Sequence, residues 1–84
     1  MRFIALVGTN RYFADAEGRL FFTQGLRLIQ KDAAQEVRLL RRFARMNDKL
    51  AADFPGRSLP LTLAHQQRAA AALIEKTLLL NVSA

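Results

Sequence analysis

The clearest structural signal in this sequence lies in residues 26–54, which read LRLIQKDAAQEVRLLRRFARMNDKLAADF. Apolar residues recur there at helical spacings of three, four and seven, and they form two neighbouring stripes. The first stripe contains Ile29, Ala33, Val37, Leu40, Ala44, Ala51 and Phe54, and the second contains Leu39, Phe43, Met46 and Leu50. Two adjacent stripes make the broad apolar face of an amphipathic helix.

The ends of this helix are marked by local signals. Asp32 followed by Gln35 is a capping pair, so the helix begins at Asp32 or as early as Leu26. It must end near Phe54, because Pro55 disfavours helical geometry in the residue before it and a glycine follows. We therefore predict the first helix over residues 26–54.

A second helix follows after a short connector, residues 55–59. Ser58 can cap it, and Pro60 is tolerated in its first turn. Residues 60–81 are rich in alanine and leucine, and the run Ala69–Ala72 favours both helix formation and close approach of a neighbouring helix. Because the connector is short, the two helices are predicted to be antiparallel neighbours.

Residues 1–25 have the character of β-structure. The apolar run over residues 2–8 has the length and the branched and aromatic content of a buried strand. Glu17-Gly18 separates two aromatic stretches and predicts a turn between strands at 11–15 and 19–24, with an aromatic-rich loop as the alternative. The sequence thus predicts one small α+β domain, mainly α, over residues 1–84: short N-terminal strands and then an antiparallel pair of amphipathic helices.

Composition narrows the function without identifying it. The 84 residues contain no cysteine, so neither a disulfide nor a cysteine metal site is available. So short a chain buries a limited core, and tight helix packing or a partner chain must supply stability. We therefore expect a homodimer or a complex subunit. Thirteen Lys and Arg against seven Asp and Glu give a net charge of +6, which favours an anionic partner.

The N-terminus lacks the signature of a secretory signal. The apolar run after Arg2 stops at Gly8, shorter than the core that such a signal needs. The longest apolar stretch, residues 69–80, is too short for a membrane span and contains Glu75 and Lys76. We expect a cytoplasmic protein without a transmembrane segment.

A row of basic residues on the first helix is the candidate binding face. Its members share one broad side of the predicted helix: Lys31, Arg38, Arg41, Arg42, Arg45 and Lys49. Arg38, Arg41 and Arg42 have no acid three or four residues away, whereas Asp48 can pair with Arg45. Unpaired arginines suit carboxylate or phosphate. The face can dock an acidic protein, neutralise nucleic-acid phosphates or simply be solvated.

Catalytic chemistry has no candidate residues. His65 is the only histidine, and no serine, cysteine or paired acid lies near it in sequence. The seven carboxylates are scattered rather than paired for acid–base work, and no cofactor or metal is predicted. We therefore expect a non-enzymatic adaptor, regulator or inhibitor that binds protein through the basic helix and apolar surface, with a nucleic-acid-binding regulator as the alternative.

Two short segments resemble known families. The segment Phe3–Asn10 looks like the first strand and phosphate loop of flavodoxin-like FMN reductases, but that fold needs several strand–helix units and none follows. Leu26–Ile29, Asp32 as a helix cap and the turn Gly56–Ser58 follow the order of ribbon-helix-helix proteins. The first helix is much too long for that family. A helix-turn-helix fits less well, since its short glycine-containing turn is missing.

The aromatic residues and one asparagine allow two interpretations each. Tyr12, Phe13, Phe21 and Phe22 could stack on nucleic-acid bases beside Arg11 and Arg19. We expect them in the core instead, since a short chain needs its large apolar groups there. Asn47 lies on the apolar seam, where a buried asparagine can fix register between chains. More commonly such a residue lies at the edge of the seam and meets water.

Overall fold

The computed structural model describes residues 1–80 as a four-stranded sheet followed by helices. The strands are β1 (Arg2–Val7), β2 (Asn10–Ala14), β3 (Leu20–Gln24) and β4 (Arg27–Lys31). The helices are α1 (Ala33–Asp53) and α2 (Leu59–Ile74), and α2 continues into a π-helical turn, Glu75–Leu79. Helix makes up 52% and strand 26% of the described residues, which confirms the predicted α+β class with helix in excess.

The sheet is an antiparallel meander in the order β1-β2-β3-β4. Two of its connections are two-residue hairpin loops, because Val7 pairs with Asn10 and Gln24 pairs with Arg27. Gly8 and Gly25 have φ near +60° in these loops, and no other residue type has positive φ in the described chain. One of the two-residue turns whose twist matches that of paired strands requires a glycine at its first position.

The strand β4 corrects the predicted start of the first helix. Helix α1 begins at Ala33, and residues 27–31 pair with β3 instead of extending the helix. The hairpin at Gly25 brings these residues beside β3, where their backbone groups complete its hydrogen bonding. Asp32 occupies the position before the helix as predicted, but its side chain makes no capping hydrogen bond.

The first hairpin, between β1 and β2, shows that the N-terminus does not follow the flavodoxin-like pattern. Gly8 and Thr9 turn the chain back into β2, so no helix follows the first strand. The segment therefore forms a hairpin loop in place of a phosphate loop. Gly8 N–H donates to Gln66 Oε1 at 2.8 Å, which fastens this loop to α2.

The two helices pack as the antiparallel pair that the short connector predicted. Helix α1 ends at Asp53, directly before the predicted limit, and Phe54 N–H still bonds to Leu50 O. Ser58 precedes α2 but makes no side-chain cap. The predicted second helix, residues 60–81, is α-helical from Leu59 to Ile74, and its last residue lies outside the described part of the chain.

The core lies between the helices and one face of the sheet. It combines strand residues with buried residues of both helices: Ala5, Tyr12, Leu20, Val37, Leu40, Ala70, Ala71 and Ile74. Ala44 and Ala64 are also fully buried. Small side chains at these helix positions permit close approach of the two helices, as the alanine run indicated. None of the helices in residues 1–80 combines the length and apolarity that crossing a membrane requires.

Candidate functional site

Helix α1 buries only the central part of its first predicted apolar stripe. Val37, Leu40 and Ala44 of the first stripe are in the core. The second stripe, Leu39, Phe43, Met46 and Leu50, lies on the surface; we call it the apolar stripe. Phe43 is 44% exposed, Met46 54% and Leu50 46%, while Leu39 is half-buried. Large apolar side chains that are exposed one after another along a helix form a contiguous patch. Such a patch typically marks an interaction site.

A basic row lies beside the apolar stripe on α1. It consists of Arg38, Arg42, Arg45 and Lys49, all exposed, and among residues 1–80 none has a carboxylate within 4.0 Å. The helical spacing places Arg42 three residues after Leu39 and four before Met46, so charge and apolar surface are neighbours. The spacing allows Asp48 to pair with Arg45, but its ion pair is with Arg68 of α2.

Two residues of the predicted basic face are not part of the basic row. Lys31 is on β4, not α1, and is half-buried with Nζ 4.8 Å from the centre of the Phe22 ring. Arg41 is not unpaired, because it donates two hydrogen bonds to Glu75, at 3.0 and 3.2 Å. Its guanidinium lowers the pKa of the Glu75 carboxyl. Sequence spacing could not reveal this partner, which lies on the other helix.

Two shallow hollows on the helices are lined by arginines, and two of these arginines are held in place by ion pairs between the helices. One hollow of about 470 Å³ is lined by Gln35, Arg38, Leu39, Arg41, Arg42 and Arg45. A second, of similar volume, is lined by Arg41, Arg45 and Arg68. Arg41 and Arg68 are fixed by Glu75 and Asp48, whereas the other arginines keep their donors for a ligand. The arrangement can accept carboxylates or phosphates.

Asn47 serves the packing within this chain. Its Nδ2 donates to Gln67 Oε1 at 3.0 Å, and Gln67 is buried. The amide pair lies next to the Asp48–Arg68 ion pair, one residue away on each helix. Asn47 therefore contributes to the register of α1 against α2.

No catalytic arrangement emerges in the described residues. His65 is exposed on α2, and in residues 1–80 no group of three or more histidine and acidic side chains could hold a metal ion. The buried carboxylate of Glu36 accepts a hydrogen bond from the Tyr12 hydroxyl at 2.6 Å. This pair lies in the core, where it cannot reach a ligand of the α1 surface.

The opposite face of the sheet is a second exposed surface. Phe13 pairs with Phe3 and Phe21 across strands, so these three rings share the face that points away from the helices. Tyr12 and Phe22 point inward, with Tyr12 buried and Phe22 packed against the core. The expectation that all four aromatics of the hairpin are core residues is thus wrong for Phe13 and Phe21. Strand alternation was the signal that could have separated them.

Comparisons with known proteins add no relative to this description. No protein-family model matches the chain, no curated protein matches it, and no solved structure matches it.

Proposed function

We propose that this chain is a non-enzymatic, cytoplasmic binding protein, an adaptor, regulator or inhibitor, that docks an acidic amphipathic helix of a partner protein on α1. The observation that carries the proposal is the exposed apolar stripe of Leu39, Phe43, Met46 and Leu50 beside the basic row of Arg38, Arg42, Arg45 and Lys49. A helix with leucines on one side and glutamates along its flank would satisfy both at once.

The charge of the basic row disfavours a second copy of the chain at this surface. Self-association through α1 would bring two sets of four positive side chains together around one apolar seam. Like charges placed opposite each other oppose association. A homodimer, the oligomer expected from composition, is therefore a weaker occupant of α1 than an acidic partner.

A nucleic acid is the second candidate for the same arginines. The hollows on α1 present the forked donors of Arg38, Arg42 and Arg45, which suit phosphates. Phosphate neutralisation, however, gives no role to the exposed rings and thioether of the apolar stripe. The acidic helix uses the whole surface and is the function that we put first.

Fluorescence anisotropy with designed peptides tests the proposal. The probe is a labelled amphipathic helix with leucines at helical spacing and flanking glutamates, and the comparison peptide carries lysines in place of the glutamates. We expect the acidic peptide to bind and the basic one not to bind. Duplex DNA is titrated in parallel at two salt concentrations.

Two variants separate the candidate functions. Replacing Phe43, Met46 and Leu50 with alanine should weaken peptide binding without changing its salt dependence. The triple variant R38Q/R42Q/R45Q should weaken it by about tenfold or more and flatten its salt dependence. A matched variant, R2Q/R27Q/R57Q, removes the same charge elsewhere and should change little. DNA binding that depends on the arginines but not on the apolar stripe would establish the nucleic-acid function instead.

A further inference from the structure

The face of the sheet that points away from the helices carries an aromatic row. We call it the outer face; by register and strand alternation it presents Phe3, Leu6, Arg11, Phe13, Phe21, Thr23, Leu28 and Gln30. No element in residues 1–80 covers it. Phe3 is 53% exposed and Leu28 50%, while Phe13 and Phe21 are half-buried by their strand neighbours.

From this arrangement we infer a second binding site, which takes single-stranded nucleic acid on the outer face. Phe13 and Phe21 lie directly opposite each other on the two central strands. Phe3 meets Phe13 edge to face, with ring centres 5.9 Å apart. Neighbouring rings that stand on a sheet present platforms on which two or three unstacked bases can lie, whatever their sequence.

The charges on and around the outer face suit a phosphate backbone. Arg11 lies two residues before Phe13 on the same strand and the same side, so its guanidinium is close to the ring row. None of the eight residues of the face is acidic. The nearest acids along the chain, Asp15 and Glu17, are both engaged by Arg19. The net charge of +6 adds a long-range attraction for a polyanion.

The size of the outer face favours a strand of nucleic acid over a second copy of the chain. Four strands about 4.8 Å apart, paired over about five residues, present roughly 300 Å². A stable protein interface needs roughly 800 Å² from each partner. The sheet alone is therefore too small for a stable dimer, but it is wide enough for two or three bases.

The test is fluorescence anisotropy with labelled oligothymidine and oligouridine of about eight nucleotides, titrated at two salt concentrations. We expect both oligonucleotides to bind, and the comparison shows whether the site prefers DNA or RNA. The variant F13L/F21L keeps the apolar volume and removes the flat rings, so it should weaken binding by about tenfold or more. The control variant F54L, which alters an exposed ring directly after α1, should leave binding unchanged.

Two further readouts keep the result independent of folding defects. R11Q removes one phosphate contact, so the plot of log affinity against log salt concentration should become less steep by about 0.7. R57Q in the connector should leave its steepness unchanged. In NMR spectra the oligonucleotide should shift the ring signals of Phe3, Phe13 and Phe21.

Three results would overturn the inference. The first is the absence of oligonucleotide binding at low salt. The second is binding that survives F13L/F21L but is lost in R38Q/R42Q/R45Q, which would place the nucleic acid on α1. The third is a wild-type dimer that F13L/F21L converts to a monomer, which would make a second copy the occupant. The first and third leave the acidic-helix proposal for α1 unaffected.

Discussion

The Tyr12 hydroxyl donates a hydrogen bond of 2.6 Å to Glu36 Oε2, and both side chains are buried between the sheet and α1. The bond joins the second strand to the first turn of α1, across 24 positions of sequence. A buried carboxylate is tolerated only when a donor satisfies it. The pair therefore fixes where α1 begins relative to the sheet.

Removing the hydroxyl should be costly. Tyr12→Phe leaves the Glu36 carboxylate buried without its side-chain donor, and we expect a loss of about 1–3 kcal/mol in the free energy of unfolding. Urea unfolding followed by circular dichroism measures it. The double variant Y12F/E36L removes both polar groups and should be more stable than Y12F alone. Equal stability of Y12F and the wild type would show that the hydrogen bond contributes nothing.

Alkaline pH should weaken the fold through the same residue. Burial, followed by the hydrogen bond and the charge of Glu36, raises the pKa of Tyr12 above its ordinary value of 10.0. The folded state thus favours the protonated phenol. Its stabilising contribution is complete below pH 10 and declines as the pH rises above that value. Tyr12 is the only tyrosine, so tyrosinate absorbance reports it directly. The decline should be smaller in Y12F, which serves as the control.

Acid should weaken the contact between the helices. The hydrogen bonds and charge of Arg41 lower the pKa of Glu75 below its ordinary value of 4.5, and Arg68 lowers that of Asp48 below 3.8. Carboxylates with depressed pKa values stabilise the folded state above their ordinary values, and this contribution is lost as the pH falls through the folded-state values. Thermal melts from neutral to acid pH should show the melting temperature falling more in the wild type than in E75Q. Parallel curves would contradict the prediction.

Two adjacent alanines of α2 should respond differently to enlargement. Ala71 is fully buried in the core, whereas Ala72 is exposed. Ala71→Leu overfills a packed space and should destabilise the chain by about 1–3 kcal/mol, while Ala72→Leu should stay within about 0.5 kcal/mol of the wild type. Denaturant midpoints measure both. Equal midpoints for the two variants would mean that α2 is rotated from the orientation described here.

Neutralising the basic row should not destabilise the isolated chain. Arg38, Arg42, Arg45 and Lys49 repel one another at helical spacings, and among the described residues no carboxylate is within ion-pair distance. R38Q/R42Q/R45Q should therefore match or exceed the wild type by up to about 1 kcal/mol at low salt. Arg41→Gln, which breaks the pair with Glu75, should instead lower stability. A clear loss of stability in the triple variant would assign these arginines a structural role.

The sequence by itself determined the elements whose signals are local. The apolar spacing of residues 33–54, Pro55 and the Gly18 turn depend on neighbours within a few positions, so helix α1, its end and the hairpin were predictable. The α+β class and the antiparallel helix pair followed from them, because a short connector leaves few other arrangements.

The tertiary structure decided everything that depends on partners distant in the sequence. Residues 27–31 form a strand because they pair with the edge of β3, although their apolar spacing also fits a helix. Arg41 forms an ion pair with Glu75, 34 residues away, and Asp48 pairs with Arg68 instead of Arg45. The pairing of strands divided the aromatic residues between the core and the outer face. Periodicity specifies which side chains share a face, but only packing determines which face is covered and which remains for a ligand.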